Sequence, residues 1–155
     1  SDRILWEDER LGLRGLVDGM KGRLSRMFQS TVRAEDDRRP TMDLGMGLWE
    51  GDVSRYYPYD TVVEAGNAIL DTFAGKTVLV YLDPTAYALS AHYVDVDGVR
   101  WDGDVLRLSD GRYIEEGVLT GPGGESVASE RPLQVFTRWY GFSLTFPGTD
   151  IYGDP

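Results

Sequence analysis

Phe136-Thr-Arg-Trp-Tyr-Gly-Phe-Ser-Leu-Thr-Phe-Pro-Gly-Thr-Asp-Ile-Tyr152 is the densest run of aromatic and apolar residues in the chain. Seven of its seventeen residues are Phe, Trp, Tyr or Ile, and a large ring contributes on the order of 2–3 kcal/mol when fully buried. The run is expected to seat the C-terminus in the core as a last strand and exit turn. Arg138 is a charge inside it, and an unpaired buried Arg costs several kcal/mol. Either an acid or an anionic ligand meets Arg138, or it faces solvent from a strand's outer face.

Upstream, short β-prone runs alternate with turn residues. Thr77-Val-Leu-Val-Tyr81 suits a central strand closed by Asp83-Pro84. Leu89–Val96, Val99–Trp101, Val105–Leu108, Tyr113-Ile114 and Val118-Leu119 follow, punctuated by Asp97-Gly98, Asp102-Gly103 and Asp110-Gly111. Asp-Gly is a preferred hairpin pair, so this spacing predicts antiparallel sheet. Met42–Trp49 reads as a first strand and Arg55-Tyr-Tyr-Pro-Tyr59 as an extended aromatic segment. Between them and the central strand, Thr61-x-x-Glu64 fits a capping box. Val62, Ala65, Ile69, Leu70 and Phe73 fit one buried face, and Gly75 a C-terminal stop, predicting a helix over 61–73.

The first forty residues differ in character. Leu13, Leu16, Val17, Met20, Leu24, Met27 and Phe28 form the stripe of an amphipathic helix interrupted by Gly15, Gly19 and Gly22. Each such glycine costs about 1 kcal/mol relative to Ala, so this helix depends on docking its stripe against the body, or else against a partner or a membrane surface, for which Arg14, Arg23 and Arg26 are too few to favour lipid. Glu35-Asp-Asp-Arg-Arg-Pro40 reads as a solvated connector. The expected organisation is an N-terminal helix and connector over 1–40, then a β-rich globular domain over 41–155. The expected class is α+β: a mainly antiparallel twisted sheet of about six to eight strands, meander or half-barrel, with one packed helix.

Composition bounds the function. The chain has 155 residues, 26 acidic against 16 basic, and a formal net charge of −10. Nucleic acid is therefore not an expected partner. Only Lys21 and Lys76 are lysine and only Asn67 is asparagine, and the acids lean to Asp. Molar salt screens charges over about 3 Å, which keeps such a surface soluble, so a halophilic, archaeal source is expected. There is no cysteine, which rules out disulfides, thiolate catalysis and thiolate metal sites. No apolar run is long enough for a transmembrane helix. The expectation is a soluble domain, in a high-salt cytoplasm or exported with its signal removed.

Candidate chemistry is sparse. His92 is the only histidine, and a Ser-His-Asp reading would recruit Ser90 or Ser143 with Asp83 or Asp95, without a Gly-x-Ser-x-Gly elbow. Asp95, Asp97, Asp102 and Asp104 resemble a Ca²⁺ cluster but lack the spacing and the distal Glu of a calcium loop; two hairpin turns explain them more simply. Glu115-Glu116 with Asp83 would suit an acid–base pair of the glycosidase type only at a set separation. There is no phosphate-binding loop and no dinucleotide fingerprint. No cofactor and no metal is expected. Tyr57, Tyr81 and Trp139 are candidates for an aromatic ligand-binding mouth.

Arg55-Tyr-Tyr-Pro-Tyr59, Val78-Leu-Val-Tyr-Leu-Asp-Pro84 and Phe136–Thr149 together resemble domain-of-unknown-function family 3179, over residues of about 42–152. The resemblance implies a β-rich domain of bacteria and archaea, often exported, and brings no activity. Many members carry Tyr-Cys-Pro-x-Cys where this chain has Tyr81-Leu-Asp-Pro84, so a thiol or metal role of that segment does not carry over. Three functions remain in view. The first is a non-catalytic module binding a small molecule or a protein. The second is a small-molecule enzyme using Asp83 and His92, with Arg138 orienting an anionic substrate. The third is a structural domain that forms homo-oligomers through the N-terminal helix.

Overall fold

The computed structural model describes residues 36–154; the expected helix over Leu13–Phe28 lies outside them. In chain order the elements are β1 (Leu44–Glu50), β2 (Val53–Pro58), α1 (Tyr59–Glu64), β3 (Ala68–Phe73), β4 (Lys76–Asp83) and β5 (Ala88–Tyr93). Then come β6 (Val99–Asp102), β7 (Val105–Leu108), β8 (Tyr113–Glu115), β9 (Val118–Thr120), β10 (Leu133–Arg138), α2 (Trp139–Thr145) and β11 (Asp150–Ile151). The class is α+β, as expected. The strands, however, divide into three sheets, ordered β10-β1-β2-β11, β3-β4-β5 and β6-β7-β8-β9. All pairings are antiparallel except β11 with β2.

The middle sheet is buried on both faces. Ile69, Phe73, Val78, Val80, Leu89 and Ala91 enter one core cluster with Met46, Leu48 and Tyr57 of the first sheet. Leu79 and Tyr81, with Ala68 and Leu70 against them, enter another with Leu106, Leu108, Ile114 and Leu119 of the third sheet. Successive residues of a strand point to opposite faces, so a strand packed on both sides is apolar at every position.

That double burial corrects the predicted helix over 61–73. Helix α1 ends at Glu64, and Gly66 (φ 95°) and Asn67 (φ 69°) turn the chain into β3 through the left-handed region. Leu70 belongs to one cluster and Ile69 and Phe73 to the other, so their spacing mimics a helical stripe while serving two faces of a strand. The capping box does not form either: α1 starts at Tyr59 after Pro58 and has no side-chain cap.

The C-terminal run is likewise not one strand and a turn. After β10 it forms α2, with Trp139 and Phe142 on one face and Phe146 just past its end, in a third cluster with Tyr56 and Ile151. The first free N–H groups of α2 are taken by the stretch just before β1: Trp139 N donates to Asp43 O at 2.7 Å and Tyr140 N to Thr41 O at 3.0 Å. The helix sits close on β1, because Gly47 carries no side chain where the Phe142 ring packs, while Gly45 leaves room for the Tyr56 ring of β2. The connector is anchored there too, with Trp139 Nε1 donating to Asp36 O at 2.8 Å and the Arg38 guanidinium 5.5 Å over the Trp139 ring.

Candidate functional site

The three rings expected to line one mouth lie in three different clusters, all essentially without solvent exposure: Tyr57 at 0 %, Tyr81 at 1 % and Trp139 at 0 %. Each has an internal partner for its polar end. The Tyr57 hydroxyl donates to Asp71 Oδ2 at 2.8 Å, and Trp139 Nε1 donates to Asp36 O. Burial raises the Tyr57 hydroxyl pKa, and Asp71 raises it further. Burial also raises that of Tyr81, whose oxygen lies 3.3 Å from His92 Nε2.

Asp83, His92 and Arg138 share no partner. Asp83 Oδ1 accepts from Thr85 N at 2.9 Å and closes the β4–β5 turn. His92 stands opposite Leu79, four residues along β4 from Asp83, or about 13 Å at the rise of a strand. Arg138 ends β10 in the first sheet, exposed, and donates to Met42 O at 2.9 Å. The solvent-facing alternative for Arg138 is thus the observed one.

The turn acids are engaged separately. Asp97 Oδ1 accepts from Ser109 Oγ, and Asp102 pairs with Arg107 at 2.9 Å. Among the described residues no group of three or more His, Asp or Glu could hold a metal. Glu115-Glu116 leads into Gly117, where an added Cβ would stand 3.2 Å from Asp83 Oδ2, so that turn does reach Asp83.

What the fold brings together around His92 is a different set. His92 is 2 % exposed, and its Nδ1 lies 2.9 Å from the Ser129 hydroxyl oxygen. Burial lowers the imidazole pKa to about 4, and the Arg131 charge works in the same direction, so the ring is neutral at ordinary pH. Ser129 is exposed. The segment carrying it is fixed by Tyr93 N donating to Glu130 O at 2.8 Å.

Ser129 lies in an open cleft of about 680 Å³, between the β3–β4 turn at Gly75–Thr77, the end of β5 at Tyr93–Asp95, Arg112 and the segment 128–130. Lys76 Nζ reaches Glu130 at 2.7 Å and Glu50 at 3.8 Å, and stands 4.7 Å over the Tyr93 ring. The Glu130 hydrogen bond raises its pKa. Burial and the bond to Glu50 raise that of the Tyr93 hydroxyl. The lining therefore holds Lys76 paired with Glu130, Arg112 paired with Asp110 at 2.8 Å, the Asp95 carboxylate and the Ser129 hydroxyl.

Compared with known proteins, the chain matches no family model, no curated protein and no solved structure. Sequence reasoning missed Ser129, which lies 37 residues from His92 in a polar stretch without strand periodicity. The only local signal was the lone histidine itself.

Proposed function

We propose that the domain is a non-catalytic ligand-binding module whose site is the cleft around Ser129. The observation that carries this reading is the cleft's composition: both signs of charge and an exposed hydroxyl backed by a buried neutral imidazole, in a space of about 680 Å³. A concave site with a few convergent polar groups is what a small polar ligand needs for orientation. The halophilic expectation belongs to the same proposal, since salt would screen the excess of 26 acidic over 16 basic residues. So does kinship with family 3179, which rests on the three quoted stretches.

An NMR titration of ¹⁵N-labelled protein with a mixed fragment set of carboxylates, amines, zwitterions, sugars and flat aromatics tests the reading. Shifted amides clustered on Lys76, Thr77, Asp95, Arg112 and Ser129 support it. Shifts confined to other surfaces, or no shifts at all, overturn it.

The enzyme reading has one observation in its favour, the 2.9 Å contact of Ser129 with His92. An imidazole held near pKa 4 is a weak base for a serine hydroxyl, so binding is the better-supported function. Asp83 and Arg138 take no part in that contact. The oligomerisation reading rests on the helix expected within residues 1–40 and is tested by light scattering with and without those residues.

A further inference from the structure

A line of side-chain hydrogen bonds runs from β4 through β5 and ends in the cleft. Tyr81 Oη meets His92 Nε2 at 3.3 Å, and His92 Nδ1 meets Ser129 Oγ at 2.9 Å. Tyr81 is 1 % exposed, so its hydroxyl hydrogen needs a partner inside the fold, and His92 Nε2 is the acceptor within reach; that need gives the line a direction.

Tyr81 passes its hydrogen to Nε2, so the neutral ring carries its proton on Nδ1 and donates to Ser129. The Ser129 hydrogen is then left for the cleft. In the opposite sense Ser129 would donate to Nδ1 and Nε2–H to Tyr81, and the buried phenol would lose the acceptor that Nε2 offers its hydrogen. Each donation also polarises the next in a poorly solvated setting.

We propose that Ser129 is a fixed hydrogen-bond donor in the cleft and that the ligand is a small zwitterion. Its carboxylate would lie on Ser129, Lys76 and Arg112, and its cationic nitrogen on Asp95 and Glu130. This rests on the cleft's being the binding site. A simple anion suits the donors equally well but is repelled by a chain of net charge −10, leaves Asp95 without a counterpart and competes with Glu130 for Lys76. A ligand of no net charge escapes that repulsion and answers both signs. The Lys76–Glu130 pair, 43 % and 64 % exposed at its side chains, is weakly held and can open to admit the two ends.

Two NMR measurements on the full chain test this. As the only histidine, His92 gives an unambiguous long-range ¹⁵N–¹H pattern, expected to be that of the Nδ1–H tautomer; the Nε2–H tautomer overturns the fixed-donor argument. Titration with β-alanine, acetate and methylammonium at equal ionic strength is expected to give saturable shifts at Thr77, Asp95, Arg112 and Ser129. β-Alanine should bind at least tenfold more tightly than either half, and Ser129→Ala should weaken it by about tenfold. Acetate binding as well as β-alanine, or none of the three binding, overturns the zwitterion. If another class from the fragment set still titrates these amides, the cleft remains a binding site and only the ligand class is wrong.

Discussion

His92 Nδ1 and Ser129 Oγ lie 2.9 Å apart, joining a ring buried in the middle sheet to an exposed hydroxyl in the cleft. The ring is neutral because burial lowers its pKa from 6.5 to about 4. Below pH 6.5 the unfolded chain therefore binds a proton that the folded chain does not. Stability from this group is complete above about pH 6.5, falls as pH drops towards 4, and levels off below. The loss is at most roughly 3 kcal/mol. Urea denaturation from pH 7 to pH 4 should show this slope in the wild type and a shallower one in His92→Gln; equal slopes would exclude His92 as its source.

Asp71 holds two groups on one oxygen: Oδ2 accepts from the Tyr57 hydroxyl at 2.8 Å and from Arg55 Nη1 at 2.8 Å. Asp71→Ala leaves a fully buried phenol and a partly buried guanidinium without that partner and should cost about 2–4 kcal/mol. Tyr57→Phe removes only one bond and should cost about 1 kcal/mol. Chemical denaturation of both variants checks the order, and an Asp71→Ala cost no larger than that of Tyr57→Phe would be the wrong result.

Gly47 faces the Phe142 ring so closely that an added Cβ would stand 2.2 Å from one of its carbons. Phe142 is fully buried between Tyr56, Trp49 and Phe146 and has little room to retreat. Gly47→Ala should destabilise by about 2–3 kcal/mol through overpacking. Phe142→Leu should make the same Ala substitution less costly. Additive losses in that double-mutant cycle would argue against direct steric contact.

Salt acts on this chain in two opposing ways. Ion pairs such as Arg107–Asp102 at 2.9 Å are weakened by screening, while the repulsion within a net charge of −10 is relieved. The second effect involves more charge, so the melting temperature should rise by several degrees between about 0.1 and 2 M KCl. Calorimetry across that range decides; a falling melting temperature would remove the high-salt reading.

Much of the local structure was legible in the sequence. Asp102-Gly103 and Asp110-Gly111 do turn the chain, with both glycines in the left-handed region, at φ 63° and 96°. The β4 and β7 runs stand where their composition put them. Trp139, Phe142 and Phe146 were legible as buried but not as a helix, because their helical spacing was masked by strand-like aromatic composition. The Ile69–Phe73 segment failed in the opposite direction, a strand whose two buried faces imitate a helical stripe.

The sequence by itself determined the α+β class, the Asp-Gly turns and the exclusion of thiol chemistry, because turn chemistry and residue inventory are local properties. Tertiary structure alone decided that the strands form three sheets, that Tyr57, Tyr81 and Trp139 belong to separate clusters, and that Ser129 rather than Ser90 or Ser143 lies on His92. Those outcomes depend on which buried faces meet. That choice is a competition among packings of distant segments, here 37 residues apart for the pair at the cleft, and periodicity within one segment carries no record of it.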